Sequence, residues 1–297
     1  MDVRDISVTK RAPVLFRIAK SLERRNVRGS TRLLKVLRQI GYLDQVVEFS
    51  LSNSVCIRVP IARNEYDEFD VYNYETELIA SLGEQIRQLP DPITLIDGGA
   101  DIGLFSLRII ALCPTISHVI AFEPNIDGYS WLRLNLSMLP DGIEARSSSA
   151  ALADFCGRGR LAFPDPCFTP GIPTNHTQSF LEKCSDGPVD VTTIDSLNVQ
   201  PMGSMVIKID VEGGELAVLR GAAGTVRDAR NCLVILEAHP GVVRRTGIDP
   251  VECLRLLASL REFRFIVSET GDLLNTDRAV FDQISPSRVY NLIARSQ

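Results

Sequence analysis

Short apolar runs alternate with amphipathic segments over most of the chain. Strands are predicted over 93–97, 118–123, 143–149, 204–210 and 232–238, and helices over 102–112, 126–139, 213–222 and 249–261. Runs that are apolar throughout are typical of strands buried on both faces of a parallel sheet. A regular alternation of strand and helix predicts an α/β fold with a doubly wound, mostly parallel sheet.

The end of the chain departs from this alternation. Two further strands are predicted over 263–268 and 288–294, and the segment between them shows a turn at Gly271-Asp272 but no helical pattern. Parallel neighbours need a long crossover that usually contains a helix. We therefore expect a seven-stranded sheet whose C-terminal strand runs antiparallel.

The first part of the chain predicts a different organisation. Residues 12–40 form two basic amphipathic patterns with a break at Gly29-Ser30, which predicts two helices. Residues 46–61 and 68–74 alternate in the manner of short strands. Together these segments predict a helical and short-strand N-terminal extension.

We place the domain boundary directly after this extension. The extension covers residues 1–74, and the α/β domain, which begins with a helix over 75–87, covers residues 75–297. Residues 155–192 form a proline-rich insertion in that domain. Because long loops in compact domains are usually functional, the insertion is predicted to be an active-site lid or a substrate-selecting loop, with a plain surface loop as the alternative.

Composition and charge narrow the class of protein. The chain has 297 residues, 45% of them hydrophobic and 23% charged, and its net charge of −5 gives no reason to expect a nucleic-acid partner. The first 40 residues nevertheless hold eleven Lys or Arg against three Asp or Glu. The two basic helices are expected to pack on the domain or on a second copy of the chain in a homo-oligomer, and binding to a membrane surface or an acidic ligand is the alternative.

The sequence also predicts a location. No stretch approaches the roughly 18 apolar residues of a transmembrane helix, and the N-terminus lacks the apolar core of a signal peptide. Seven cysteines are widely spaced without a Cys-x-x-Cys pair, as expected for buried thiols in a reducing compartment. We expect a cytoplasmic protein without a transmembrane segment.

A glycine-rich turn carries the first functional signal. The strand over 93–97 ends in Asp97, and the turn that follows consists of Gly98, Gly99, Ala100, Asp101, Ile102 and Gly103. The next strand ends in a second acid, Glu123. A strand, a glycine turn, a helix and a second strand that ends in an acid form a unit that holds a nucleoside, with the carboxylate on the ribose hydroxyls. The unit predicts an adenosine-containing cofactor.

Two details favour one cofactor over another. Asp97 would repel a pyrophosphate but can accept a hydrogen bond from an ammonium group. Glu123 is followed by Pro124-Asn125, which holds the acid in an abrupt turn before the next helix. A ligand with a cationic amino-acid end and a ribose fits both details, so S-adenosylmethionine is favoured, and NAD is the alternative.

A second cluster of polar residues lies at the ends of two later strands. Lys208 interrupts a buried apolar run, and strand parity places it on the same side as Asp210. A buried lysine needs a carboxylate partner. The following strand ends in Glu237 and His239. We predict His239 or Asp210 as a general base and Glu237 as the group that orients the nucleophile.

Two other interpretations of this cluster stay open. In the first, Lys208 and the nearby carboxylates form a structural network, and His239 only orders a turn. In the second, a divalent metal is held between Asp210, Glu212 and Glu237, because clustered carboxylates suit hard cations. We expect no resident metal.

Both halves of the chain together resemble a known family, the FkbM-type methyltransferases. The motifs that carry the resemblance are Leu95–Gly103, Phe122–Asn125, Ala151–Asp154, Thr193–Leu197, Ile207–Glu215, Leu219–Gly221 and Leu236–Pro240. The resemblance covers roughly residues 70–295. It implies the Rossmann-like class I methyltransferase fold and the transfer of a methyl group from S-adenosylmethionine to a hydroxyl of a sugar, polyketide or related natural product.

The resemblance also implies site residues. The methionine end of the cofactor would lie against Asp97, Gly98, Gly99, Ala100 and Gly103; the ribose against Glu123 with Pro124 and Asn125 beside it; and the adenine against Ala150 or Ala151. Tyr74-Glu75 resembles a pair that closes the cofactor pocket in the family. Asp101 departs from the asparagine that is usual in the family and adds a negative charge to the loop.

Two further functions compete with methyl transfer. The chain could bind the cofactor without catalysis and act as an interaction or regulatory protein through its basic helices. An NAD-dependent oxidoreductase is the third hypothesis, and it would need a parallel final strand. If the chain is an enzyme, its expected partner is a small hydroxylated acceptor.

Overall fold

The fold is taken from a computed structural model, which describes residues 8–163, 179–199 and 203–297. Its strands are β1 (Val8–Thr9), β2 (Val46–Ser50), β3 (Cys56–Pro60), β4 (Ile93–Gly98), β5 (Ile116–Phe122), β6 (Glu144–Ser148), β7 (Ala151–Leu152), β8 (Gly157–Ala162), β9 (Phe180–Lys183), β10 (Val189–Thr192), β11 (Ser204–Ile209), β12 (Asn231–Ala238), β13 (Phe263–Val267), β14 (Leu273–Leu274) and β15 (Tyr290–Ser296). Its α-helices are α1 (Val14–Arg24), α2 (Ser30–Gln39), α3 (Ile61–Asn64), α4 (Glu68–Asn73), α5 (Thr76–Ile86), α6 (Leu104–Leu112), α7 (Ile126–Leu136), α8 (Glu215–Arg220), α9 (Ala223–Asp228), α10 (Pro240–Thr246) and α11 (Val251–Leu260).

The central sheet has the strand order β14-β13-β15-β12-β11-β4-β5-β6. The five strands from β12 to β6 are parallel to one another. The last strand, β15, lies between β12 and β13 and is antiparallel to both, as predicted. The predicted number of seven strands is wrong by one, because the two-residue strand β14 also pairs with β13. A strand this short shows no periodicity in the sequence.

The register of the parallel strands sets the position of the polar residues. The strands β4 and β11 are neighbours, and Asp97 on β4 lies directly opposite Lys208 on β11. On the other side of β4, Gly98 lies opposite Phe122, the last residue of β5 before Glu123. Since β4 is the strand from which the chain proceeds in both directions across the sheet, its carboxyl end is the topological switch point where ligands bind in such folds.

Each face of the sheet is covered by a separate hydrophobic core. On one face, a core is shared by the N-terminal segment, which is the described part of the extension (residues 8–74), and by the central sheet. It contains Phe16, Leu43 and Ile57 of the segment together with Leu95 of β4 and Leu107 of α6. The other face packs against α8, α9 and α11. The N-terminal segment is therefore one of the covering layers of the sheet. The predicted domain boundary after residue 74 stays a prediction.

Asn135 on α7 ties the N-terminal segment to the glycine turn. Its side chain is fully buried. Its Nδ2 donates to the carbonyls of Arg58, at 3.0 Å, and Ile102, at 2.8 Å, and its Oδ1 accepts the backbone N–H of Arg58 at 2.9 Å. One amide thus fixes β3 to the turn between β4 and α6.

The segment Glu68–Asn73 forms the helix α4, so the strand predicted over 68–74 is wrong. Asp67 is the N-cap of α4, and its carboxylate accepts the backbone N–H groups of Phe69 and Asp70. The Asp70 carboxylate accepts the Asp67 N–H in return, which completes a capping box. The alternation of apolar and polar residues predicted a strand, but these caps favour the helix.

The helix predicted over 213–222 is also corrected. Glu212 and Gly213 have φ angles of 55° and 104°, in the left-handed region, so the chain forms a turn there and α8 begins only at Glu215. Gly221 separates α8 from α9, and a Cβ at Gly221 would lie 2.1 Å from the carbonyl oxygen of Ala153. Two short helices therefore replace one.

The insertion over 155–192 contributes to a small separate sheet. Its order is β7-β10-β8-β9, and the sequence patterns over 159–163 and 189–193, which predict two short strands on either side of the proline-rich part, correspond to β8 and β10. Most of that part, residues 164–178, lies outside the described residues. In the described ranges, no helix has the length and apolar character needed to span a membrane.

Candidate active site

A cavity of about 270 Å³ opens at the carboxyl end of β4, β5 and β11. Its floor and walls come from the strand ends, the start of α5, the N-terminal segment and the hairpin of β8 and β9. The described lining residues are Arg63, Tyr66, Tyr74, Glu75, Gly99, Asp101, Phe122, Glu123, Pro124, Ala151, Leu152, Leu161, Ser179, Leu181, Asp210, Val211, Glu212 and Glu237.

The glycine turn is locked against the end of β11. Gly99 has a φ angle of 85°, and a Cβ at this position would lie 1.8 Å from the carbonyl oxygen of Asp210. The Asp210 N–H donates to the carbonyl of Gly98 at 2.9 Å. Gly99 is therefore required by the packing of the turn on β11 as well as by the shape of the cavity.

Glu123 faces the cavity directly beyond β5. Its Oε2 accepts the backbone N–H of Asp101 and its Oε1 accepts that of Asn125, both at 2.8 Å. Burial and the nearby Asp101 carboxylate raise the pKa of Glu123 to about 7, although the two backbone donors and Arg63 lower it. Both oxygens keep lone pairs for further donors, as a carboxylate that binds two ribose hydroxyls requires.

Lys208 lies beneath the cavity with only 3% of its side chain exposed. Its Nζ donates to Asp210 at 2.7 Å and lies 4.9 Å from the centre of the Phe105 ring. Burial lowers the pKa of Lys208, but the carboxylates of Asp210, Glu75 and Asp97 outweigh this and raise it above its ordinary value. The ammonium is therefore charged near neutral pH.

Two carboxylates around this ammonium have an oxygen without a donor. Asp97 is fully buried, and its Oδ2 accepts the Ser106 hydroxyl at 2.6 Å. Asp97 Oδ1 and Glu75 Oε2 are buried and receive no hydrogen bond from the described residues. Burial raises the pKa of both groups, and Lys208 lowers it. Of the two, Glu75 lines the cavity.

Glu212 and Glu237 present carboxyl groups to the cavity. Burial and the neighbouring Asp210 raise the pKa of Glu212 to about 7, and the same causes together with Glu212 raise that of Glu237 well above its ordinary value. Neither side chain receives a hydrogen bond or an ion pair within the described residues. Glu215 differs, because its Oε1 accepts the N–H groups of Gly213 and Val211 and so fixes the turn before α8.

His239 is the N-cap of α10. Its Nδ1 accepts the backbone N–H of Gly241 at 2.9 Å, so the neutral ring carries its proton on Nε2. Burial and Arg245 lower the pKa of the imidazole. His239 lines a smaller neighbouring cleft with Val242 and Thr246 and does not line the large cavity.

The structure brings half of the predicted site residues to the cavity. Those that line it are Glu75, Gly99, Asp101, Glu123, Pro124, Ala151, Asp210 and Glu237. Those that do not line it are Asp97, Gly98, Ala100, Gly103, Asn125, Ala150, Lys208 and His239. Asp97 and Lys208 support the lining from below, and Asn125 is the N-cap of α7, where its side chain accepts the Asp127 N–H.

Sequence reasoning missed several lining residues. Arg63 and Tyr66 come from the N-terminal segment, and Leu161 and Leu181 come from the hairpin of the insertion. The alternation in the hairpin could have indicated its apolar face. Nothing in the local sequence connects Arg63 with the cavity.

The acidic side chains around the cavity bear on the alternative of a bound divalent metal. In the parts of the chain that the structure describes, no group of three or more His, Cys, Asp or Glu is arranged to hold a metal ion.

Known proteins offer three comparisons. A family model described as the methyltransferase FkbM domain matches residues 97–267, more than half of the chain. The chain is 28% identical over 181 residues to the hexuronic acid methyltransferase AglP of Haloferax volcanii, a match that covers 59% of this chain and 66% of that protein. It is 29% identical over 162 residues to Methyltransferase 1 of Beauveria bassiana, covering 46% of this chain and 61% of that protein.

Among solved structures, the methyltransferase FkbM from Methylobacillus flagellatus is similar at a TM-score of 0.43 and 13% identity, over 89% of this chain and 71% of that one. The chain spans less than two thirds of the length of the two curated relatives, 66% and 61%.

We predict that Lys208→Met destabilises the protein by about 3–5 kcal/mol at pH 8, because it leaves buried carboxylates without a counter-charge. The loss should be smaller at pH 5. A carboxyl whose pKa is raised in the folded state contributes stability at low pH that is lost as the pH rises through that pKa, so protonation of Asp97 and Glu75 relieves the repulsion. Urea unfolding at the two pH values measures the difference.

The matched control is Lys183→Met. Lys183 lies on the exposed hairpin with its Nζ 4.5 Å from the Phe155 ring centre, and its replacement should change the free energy of unfolding by no more than about 0.5 kcal/mol. Equal effects of the two variants would contradict the role given to Lys208.

Proposed function

Because the chain belongs to the FkbM methyltransferase family, we propose that it is an S-adenosylmethionine-dependent O-methyltransferase that acts on a hydroxyl of a sugar, a polyketide or a related natural product. The observation that carries this proposal is the Glu123 carboxylate, which lies beside a glycine turn and faces a cavity at the switch point of the sheet. The printed function of AglP, methylation of a hexuronic acid, supports a sugar acceptor.

The residues of the cavity fit this cofactor. Glu123 would accept the ribose hydroxyls, and Glu75, whose Oε2 is buried without a donor, would accept the ammonium of the methionyl end. Phe122, Ala151 and Leu152 give an apolar wall beside Glu123 for the adenine. Asp97 would act from below by holding Lys208 and the turn in place.

When bound, S-adenosylmethionine supplies the methyl group, and the acceptor oxygen attacks its carbon in line with the departing sulfur. The protein must align the acceptor and take the proton of its hydroxyl. We propose Glu237 for the proton transfer. It lines the cavity, and its raised pKa makes it a stronger base than an ordinary carboxylate. Asp210 is already bonded to Lys208, and His239 lies outside the cavity lining.

The charge of the cavity bears on the acceptor. Glu212 and Glu237 lie on the side of the cavity away from Glu123, at the ends of β11 and β12, and neither has an ion-pair partner within the described residues. The described lining contains one cation, Arg63, which is paired with Asp101. We therefore propose a neutral or cationic acceptor, unlike the hexuronic acid of AglP, since at pH 8 the ionised Glu212 would repel a carboxylate on the acceptor.

Isothermal titration with S-adenosylhomocysteine tests the cofactor site. We expect micromolar binding, no binding of NAD, and at least a tenfold loss in Glu123→Ala, because the charge-assisted hydrogen bonds to the ribose are removed. Glu144→Ala, which removes an exposed glutamate on the neighbouring strand β6, should bind as the wild type does. If the wild type gives no binding signal with S-adenosylhomocysteine, the proposed cofactor is contradicted.

The same titration should depend on pH. With a pKa of about 7 in the free protein, Glu123 is ionised at pH 8 and largely protonated at pH 6. The ionised form is the better acceptor, so affinity should fall as the pH falls through 7, and binding near pH 7 should release a proton. This dependence should vanish in Glu123→Gln but persist in Glu212→Gln, whose carboxyl titrates in the same range.

Steady-state kinetics tests the proposed base. Glu237→Gln should lower kcat by about 100-fold or more while S-adenosylhomocysteine still binds, because general base catalysis contributes effects of about that size. His239→Ala should stay within about threefold of the wild type. If His239→Ala lowers kcat more than Glu237→Gln does, the general base is His239 and not Glu237.

A panel of three acceptors tests the charge proposal. Methyl glycosides of glucosamine, glucose and glucuronic acid should be methylated in that order of kcat/KM. Glu212→Gln should narrow the gap between the uronic acid and glucose, since it removes one repelling carboxylate. A wild-type preference for the uronic acid would refute the proposal on acceptor charge and leave the proposed reaction intact.

A further inference from the structure

We propose that Arg63 is a positioning residue of the cofactor site, and that the N-terminal segment therefore completes a site whose glycine turn and Glu123 lie within the family domain. The segment precedes the matched range of 97–267. The inference rests on the proposed function, in that it concerns the affinity of the same cavity for S-adenosylmethionine.

Arg63 and its neighbour hold both carboxylate oxygens of Asp101. The Arg63 guanidinium forms an ion pair with Asp101 Oδ1, with Nη2 at 2.5 Å, and this contact acts through charge because the two atoms do not have hydrogen-bond geometry. Asn64 Nδ2 donates to Asp101 Oδ2 at 2.9 Å. Arg63 Nη1 also donates to the Asn64 side-chain oxygen at 3.1 Å, so the two residues of α3 act as one clamp.

Asp101 needs such a clamp for two reasons. Its φ angle of 48° lies in the left-handed region, which a residue with a Cβ occupies only at a cost in free energy. Its carboxylate also lies close enough to that of Glu123 to repel it. The guanidinium of Arg63 opposes this repulsion, and the clamp keeps the Asp101 N–H directed at Glu123 Oε2.

Gly128 gives independent support for this arrangement. It lies in the first turn of α7, where a Cβ would be 2.8 Å from Arg63 Nη2, 3.0 Å from Glu123 Cγ and 3.1 Å from Asp101 Oδ1. The three side chains thus converge on a space that only glycine leaves open. Because the guanidinium is the end of a flexible side chain, an added methyl group would displace it from Asp101.

The clamp rests on a rigid support. Arg63 and Asn64 follow β3 directly, and β3 is fixed to the carbonyl of Ile102 through Asn135. The glycine turn is therefore held by the N-terminal segment at two successive residues, Asp101 and Ile102.

The experiment is titration of the full chain with S-adenosylhomocysteine. We expect Arg63→Gln to weaken binding at least tenfold. The double variant Arg63→Gln/Asp101→Asn should bind S-adenosylhomocysteine only slightly more weakly than Arg63→Gln alone, since the two groups act as a pair. Arg38→Gln is the matched control, because Arg38 pairs with Glu65 at 2.6 Å on the surface of the same segment and should leave binding unchanged.

Gly128→Ala is the second variant. Alanine favours a helix over glycine, which offsets part of the cost of displacing the Arg63 guanidinium, so the variant should still fold. We nevertheless expect at least a tenfold loss of affinity for S-adenosylhomocysteine. Unchanged affinity in both Gly128→Ala and Arg63→Gln would overturn the inference.

Hydrogen exchange of the ligand-free protein separates the inference from the proposed function. Arg63→Gln should raise the exchange rate of the Asp101 amide by at least tenfold, while amides of the sheet stay unchanged. If the wild type fails to bind S-adenosylhomocysteine, the proposed function falls, and the exchange result still decides whether Arg63 orders the turn. Unchanged exchange at Asp101 would overturn the inference by itself.

Discussion

The buried ammonium of Lys208 is the interaction on which the site depends. Carboxylates from three separate elements surround it: Asp97 at the end of β4, Asp210 beyond β11, and Glu75 before α5. Without this cation, the three groups would repel one another in a region that water does not screen. The charge of Lys208 therefore holds together the ends of β4 and β11 and the start of α5. These three elements form the floor of the cavity.

This arrangement divides the acidic residues into two groups with different tasks. Asp97 and Asp210 are engaged with Ser106 and Lys208, and they maintain the shape of the strand ends. Glu123, Glu212 and Glu237 face the cavity, and the pKa of each is raised chiefly by burial. Glu123 and Glu212, each with a pKa of about 7, can change protonation state near neutral pH, and the pKa of Glu237 is raised well above its ordinary value.

The sequence predicted the parts of the fold that depend on local pattern. Buried apolar runs located the strands, and the out-of-place Lys208 correctly indicated a carboxylate partner. The helix over 68–73 was missed because apolar alternation was weighed above the capping aspartates. The position of His239 could not be derived, since a strand-end pattern gives the edge of the sheet but not the direction of a side chain beyond it. Arg63 was missed because its partner Asp101 is distant in sequence.

The placement of β15 between β12 and β13 has a consequence for synthesis on the ribosome. During translation, β12 is synthesised roughly fifty residues before β15. Domains tend to fold as their residues emerge from the ribosome, but β12 cannot pair with β15 until β15 has been synthesised. During that interval β12 and β13 each present an unpaired edge, the kind of surface on which strands of other chains can add. A nascent chain that stops short of Tyr290 therefore carries the five paired parallel strands from β12 to β6 with the edge of β12 still open.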